Sequence, residues 1–388
     1  MMAMLFATIA LSIDAMLPAL PAIAAELTPG DVNRAQLVVS SFFFGMGFGT
    51  LIAGPVSDAF GRKSVILACA AIYLVGAALC FAAPSLEILL FARVLQGIGA
   101  AGPRAVGTAM IRDLYKGRDM ARIVSFVMMI FTLVPAAAPL IGQGILLIGS
   151  WRLIFAAFMV FALIVNGWVA LRQPETLAIA ARRPLRIALL WQAARELSRH
   201  RIALISTLCQ SLTLACLIAT LSSQQAIFEQ RFDRAASFPL WFAFVALCAI
   251  SGSVVNSRIV MRVGMRAVVK ATYVAQVGLS VVILLLNLSG ALPEALVFPS
   301  HVLWSIGVFA MMGLTLGNLN ALAMEDLGHI AGFAASVITA ASTVLSVLLA
   351  VPVGLAFDGT QVPLLVGATM FAVLALGLMQ FVRKPVVV

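Results

Sequence analysis

Apolar runs, each about as long as the hydrocarbon core of a bilayer is thick, recur from one end of the chain to the other with short polar breaks between them. A membrane-spanning helix needs about 20 mostly apolar residues. The polar interruptions delimit runs at 2–23, 36–56, 64–83, 85–110, 122–147 and 150–171, then at 203–228, 236–256, 267–288, 296–320, 331–353 and 361–382. They are continuously apolar instead of alternating, which excludes a β-barrel. Composition agrees: with 63% hydrophobic and 10% charged residues, 388 residues cannot coat a water-soluble body with polar side chains. Soluble domains carry about a quarter charged residues. The expected class is an all-α integral membrane protein with twelve transmembrane helices.

Orientation follows from the basic residues, which collect in cytoplasmic loops. With the N-terminus inside, nineteen of the 25 Lys and Arg fall in inner connections: near Arg62–Lys63, Arg112–Arg122, Arg172–Arg201 and Arg258–Lys270, and in the tail Arg383–Lys384. Arg34, Arg152, Arg231 and Arg234 fall outside, and Arg93 and Arg104 lie within the fourth run. Both termini are therefore expected in the cytoplasm. The formal charge of +10 reflects topology with some anionic-lipid contact. Nucleic-acid binding is not expected, because the basic residues form no single patch. Residues 1–10 lack the positive n-region of a cleavable signal peptide, and the first run begins so near Met1 that the true start could lie upstream. Cys69, Cys80, Cys209, Cys216 and Cys248 lie in apolar stretches without metal-ligand spacing and read as small buried hydrophobes.

The longest polar interruption divides the chain into six-helix halves, 1–172 and 202–388, joined by a cytoplasmic linker at 173–201. In the linker Leu185, Leu189, Leu190, Ala193 and Leu197 recur at helical spacing beside Arg186, Arg195 and Glu196. That pattern suits an amphipathic helix on the inner membrane surface, or else a solvated tether. The segment Gly54-Pro55-Val56-Ser57-Asp58-Ala59-Phe60-Gly61-Arg62-Lys63 has a partial echo at 256–266, where Gly264 matches Gly61 but Met261 replaces Asp58. Duplicated halves of this kind are a transporter architecture.

The segment from Gly54 to Lys63 resembles the glycine-aspartate-glycine-arginine signature of the major facilitator superfamily, and Arg93-Val94-Leu95-Gln96-Gly97-Ile98-Gly99 resembles its fourth-helix motif. Ser12-Ile13-Asp14-Ala15-Met16-Leu17-Pro18-Ala19-Leu20-Pro21, Ile111-Arg112-Asp113-Leu114-Tyr115 and Asn256-Ser257-Arg258 resemble the superfamily's Bcr/CflA drug-resistance branch. The likeness covers essentially the whole chain. It implies two pseudo-symmetric six-helix bundles in a bacterial inner membrane, and proton-coupled efflux of small antibacterial or toxic compounds by alternating access.

Asp14 stands out without any family. It lies about 20 Å up the first helix at 1.5 Å per residue, and a carboxylate at such depth costs about 3 kcal/mol on insertion scales. It must face the bundle interior, either as a proton carrier or as a structural acid paired with Arg. Arg93 is too deep to snorkel comfortably. The resemblance makes it a partner that helps the proton on and off Asp14; a packing strut is the equal alternative, and Gln96 could serve either. Arg104 departs from the family, which has a small or apolar residue there. Eleven residues after Arg93, it shares the same helix face. It either snorkels inward or lines the cavity, where it would disfavour cationic compounds.

In the fifth run Pro135, Pro139 and Gly142 resemble the antiporter motif, while Val134, Ala138 and Gln143 stand where glycines are usual. Proline breaks the backbone ladder and small residues allow close approach, so a bent, tight seam is expected. By resemblance Gly54, Asp58, Gly61, Arg62 and Lys63 form a conformational latch, with Asp58 near the start of the eleventh helix; loop charges that merely set topology are the alternative. Gly45, Gly49 and Gly54 read as packing. Asp14, Gln96, Arg104, Phe44, Met128 and Gln210 are the candidate substrate contacts. No nucleotide-binding loop, H-E-x-x-H, C-x-x-C or G-x-S-x-G occurs. His200, His301 and His329 fall near span ends or in loops, so no metal, cofactor or enzyme activity is expected, and a proton gradient supplies the energy. The expected partners are a small-molecule substrate, protons and the lipid bilayer, with the protein a monomer. A major facilitator transporter of a metabolite (amino acid, sugar or siderophore) is the alternative.

Overall fold

The computed structural model describes the chain except Arg183, Arg186, Asp326, Gly328, His329 and residues 383–388, and except the side chains of Ala121, Met128, Phe131, Thr132, Ile187, Leu189 and Ala331. The candidate contact Met128, the tail Arg383–Lys384 and Asp326 thus lie outside the described residues in whole or in side chain. The helices are α1 Met2–Asp14, α2 Leu20–Leu27, α3 Leu37–Phe60, α4 Arg62–Phe81, α5 Leu86–Leu114, α6 Gly117–Leu146 and α7 Arg152–Arg172. They continue with α8 Ile187–Arg199, α9 Arg201–Gln230, α10 Phe238–Val263, α11 Met265–Leu288, α12 Glu294–Met324, α13 Ala331–Leu355 and α14 Val362–Met379. Among the described residues 11 helices are long and apolar enough to cross a membrane. The 30-residue α6, apolar over Leu133–Leu146, occupies the place of the fifth expected span. The protein is a multi-pass, all-helical membrane protein.

The first span is not the continuous helix expected over 2–23. It breaks after Asp14, passes through a 3₁₀ turn at Leu17–Ala19 and resumes as α2. The cause is local: Pro18 has no N–H for the carbonyl of Asp14, and Pro21 has none for Leu17. The carbonyls at the end of α1 are thereby left for other donors.

By contacts the chain forms two compact units: Met1–Ala188 with Ala235–Ala243, and Leu189–Arg234 with Phe244–Val388. In the first, glycines let backbones touch. A Cβ on Gly45 would fall on the carbonyl of Val94, one on Gly97 on the carbonyl of Phe42, and one on Gly49 within 2.7 Å of the Ala101 Cβ. These contacts seat α3 against α5; Gly99 and Gly76 do the same between α5 and α4. Gly54 is half-buried and supplies the carbonyl that accepts from Ser57 Oγ at 2.7 Å. In the second unit α9 is the polar spine. Thr213, Thr220, Ser222, Ser223, Gln224 and Gln225 are all buried along it, and Gln224 Nε2 donates to Ser305 Oγ at 3.1 Å.

The linker does contain a helix, α8; of the stripe, Ala193 is fully buried and Leu197 is 6% exposed, while Leu190 is half-buried and Leu185, ahead of the helix, is 41% exposed. Trp191, on another side, is 77% exposed. The stripe over residues 185–197 anticipated the helix but not what covers it.

Gly97→Val should collapse this packing, because the new side chain meets backbone that cannot rotate away. Overpacking typically costs about 1–3 kcal/mol, and the detergent-purified variant should melt several degrees below wild type. Gly278→Ala, where a Cβ meets open space, should melt as wild type does. Equal melting of both variants would contradict the close approach of α3 and α5.

Candidate functional site

The broken end of α1 is where the polar groups of the first unit converge. Arg93 on α5 is fully buried. Its Nη2 donates to the Ser12 carbonyl at 3.2 Å, its Nε to the Val38 carbonyl at 3.2 Å, and its Nη1 to Gln96 Oε1 at 2.7 Å. The cation also sits 4.4 Å from the centroid of the Phe42 ring and 5.9 Å from that of Phe155. One of the acceptors is therefore a carbonyl of the last turn of α1, where the helix dipole favours a cation. From α4, Tyr73 shares a hydrogen bond between its hydroxyl and Ser12 Oγ. From α6, Gly142 lies so close that a Cβ there would fall on the carbonyl oxygen of Ala15.

Asp14 is the last residue of α1 and is 5% exposed. Among the described residues no hydrogen bond or ion pair to its carboxyl is found. Arg93, expected beside it, spends its donors on Ser12, Val38 and Gln96. Both groups are thus brought to the same helix break, Arg93 on its backbone and Asp14 at its last side chain, without an ion pair. Gln96 is fully buried as the acceptor for Arg93, with its Nε2 lacking an acceptor. Phe44 is half-buried and packs edge-on to Phe48 at 5.0 Å. Arg104 is exposed. In the second unit Gln210 is 6% exposed, with an unpartnered Nε2. Pro135 and Pro139 lie inside α6, which runs through both.

A second cluster forms at the α3–α4 corner. Gly61 turns the chain with φ +101°, a left-handed conformation that favours glycine. Arg62, buried, pairs with Asp58 one turn back and with Asp113 Oδ2 at 3.2 Å, and donates to Ser57 Oγ at 2.6 Å. Lys63 Nζ donates to the Ala170 carbonyl at 2.7 Å.

Glu175, which no motif singled out, caps this corner. Its carboxylate accepts from the backbone N–H of Arg62 at 2.8 Å, Lys63 at 3.2 Å, Thr176 at 3.0 Å and Leu177 at 3.1 Å. Two of these are the unsatisfied first N–H groups of α4. Partial burial alone would raise the Glu175 carboxyl, but the four backbone donors outweigh it and hold it below its ordinary 4.5. The nearest signal in the sequence is Gln173-Pro174-Glu175-Thr176, an acid directly after a span and at the start of the linker. The second unit repeats the corner in part: Gly264 has φ +84°, and Arg266 pairs with Glu325 at 3.2 Å.

Another residue missed in the sequence is His301. Placed near a span end by its position, it is fully buried in α12, stacked on Trp304 at 5.9 Å and edge-on to Phe228 at 6.1 Å. Position within a run says nothing about which side of the helix is covered.

Charged and amide groups buried between apolar helices mark a membrane protein built to pass polar cargo or ions, since such groups are costly in lipid. A family model described as Major Facilitator Superfamily matches residues 2–351, and the chain belongs to that superfamily of transporters. It is 28% identical to the uncharacterized MFS-type transporter YdgK of Bacillus subtilis (strain 168), over 96% of this chain and 91% of the relative. It is 27% identical to a bicyclomycin resistance protein homolog of Haemophilus influenzae, over 68% of this chain and 66% of that one. The partially occluded, inward-open xylose transporter XylE from E. coli shares its fold with a TM-score of 0.76 at 14% identity, over 99% of this chain and 97% of the other.

The Glu175 cap carries a pH signature. A carboxyl held below its ordinary value stabilises the fold above that value and loses the contribution as pH falls through its folded one. Glu175→Gln should therefore cost up to about 1.5–3 kcal/mol at neutral pH, the range for hydrogen bonds to a charged group. The gap to wild type should close on acidification below 4.5. Melting curves of both proteins against pH test this; a gap that does not change with pH would contradict it.

Proposed function

We propose that this transporter exports small antibacterial or toxic compounds across a bacterial inner membrane in exchange for protons, with Asp14 as the proton carrier. The observation that carries the reading is the isolation of the Asp14 carboxyl, buried at a helix break with no cation paired to it among the described residues. A carboxyl in a water-poor place rests there at least cost as the neutral acid, and ionises when water or a cation reaches it. That is the property a proton carrier needs.

Arg93 holds the break open by satisfying the Ser12 carbonyl, so it positions Asp14 through the backbone instead of neutralising it. Gly142, in the segment similar to the antiporter motif, lets α6 close over the residue after Asp14. The name of the Haemophilus relative supports an antibacterial as cargo. In the cycle, Asp14 takes a proton from outside and gives it up inside as substrate enters. One carrier implies about one proton per turnover. Export of a neutral compound then moves net charge, worth about 2.3 kcal/mol for each 100 mV of membrane potential.

Everted vesicles test this directly. With wild type, adding a transported antibacterial should release protons from the vesicle lumen; with Asp14→Asn, release should fall to the level of vesicles lacking the protein. No response to any compound of a broad antibacterial panel would remove drug export, and an unchanged response in Asp14→Asn would clear Asp14 of coupling.

A further inference from the structure

We propose that Arg104, with Thr108 one turn on, selects the cargo by binding an anionic group, so that organic anions and zwitterions are preferred over permanent cations. The proposal rests on the efflux reading and names the substrate class for it. From Ala92 to Met110 every residue of α5 is buried or half-buried except these two, which are exposed. The Thr108 hydroxyl donates to the Arg104 carbonyl at 2.8 Å, which leaves its oxygen free to accept.

The strip they occupy is not an outer edge of the unit. On one side of it α5 meets α1, where a Cβ on Gly107 would come within 3.1 Å of the Phe6 ring; on the other it meets α3, where Ala101 packs on Gly49. The face toward α4 lies elsewhere on the helix, at Gly99 and Gly102, against Tyr73 and Cys69. Arg104 therefore opens between α1 and α3, on the same face as Arg93.

What sets Arg104 apart from the other deep arginine is that no partner to its charge is found among the described residues. Arg93 has three acceptors and two ring faces. Arg104 takes part in none of the ion pairs found among the described residues. A guanidinium offers five N–H donors in a planar fork and accepts none, and carboxylate is the group that matches it in two parallel hydrogen bonds. The same fixed charge repels a permanent cation. An uncharged compound is neither held nor excluded by it.

The test is binding to the full chain purified in detergent, without a proton gradient. The three probes are nalidixate, which carries a carboxylate, chloramphenicol, which is neutral, and tetraphenylphosphonium, a permanent cation. Wild type should bind nalidixate at least about tenfold more tightly than tetraphenylphosphonium. Arg104→Gln should weaken nalidixate by about tenfold, equivalent to 1.4 kcal/mol, and leave chloramphenicol unchanged. Arg104→Lys, which keeps the charge and loses the fork, should keep the order of preference with weaker nalidixate binding. Should Arg104→Gln not purify, that order in Arg104→Lys decides. Nalidixate binding equal in wild type and Arg104→Gln, a wild-type preference for the cation, or an inverted order in Arg104→Lys would each overturn the proposal. Charge-selective binding without proton release in vesicles would instead sink the efflux reading and leave this one standing.

Discussion

The hydrogen bond from Arg93 to the Ser12 carbonyl is the interaction on which the rest of the first unit turns. Pro18 and Pro21 keep α1 from running on past Asp14, and carbonyls at its end are left for other donors, which lipid does not supply. Arg93 is equally untenable alone, since an unpaired buried cation costs several kcal/mol. Each makes the other possible. The arrangement fixes Asp14, the final residue of α1, at a constant place without a counter-charge, and lets α4 and α6 close in through Tyr73 and Gly142.

What could be read in advance divides along physical lines. Spans were legible because a bilayer imposes length and continuous apolarity, which one sequence displays openly. Asp14, Arg93 and Arg104 were legible as anomalies against that background. Their partners were not. The acceptors of Arg93 include backbone carbonyls of Ser12 and Val38, and every residue carries a carbonyl, so no pattern announces them. Glu175 escaped for a similar reason: its partners are backbone N–H groups, and its own setting looked like linker. The break in the first helix was written in Pro18 and Pro21, but a continuous apolar run masks a kink. The stripe in α8 gave a helix and a side without saying whether protein or lipid covers that side. His301 shows the same limit.

The two units share a plan but not a chemistry. Each turns a corner on a left-handed glycine, Gly61 or Gly264, and ties the following helix by an arginine to an acid at the end of another, Asp113 or Glu325. The second unit has Met261 where the first has Asp58, and its first long helix, α9, carries buried amides and hydroxyls in place of a carboxyl. Under the proposed exchange, the proton would be handled in one unit and uncharged polar groups would serve in the other. Unpartnered amide atoms on Gln210, Gln224 and Gln225 are available there for hydrogen bonds that require no change of charge.

The proposed exchange requires that the Asp14 carboxyl itself change protonation state when cargo binds. Infrared difference spectra, recorded on adding an antibacterial to the purified protein and compared between wild type and Asp14→Asn, observe that carboxyl directly. A protonated-carboxyl band is expected in the resting wild type and is lost on binding, with a matching gain of carboxylate absorption, and neither change occurs in Asp14→Asn. A carboxylate band present before binding and unaltered by it would rule out Asp14 as the proton carrier.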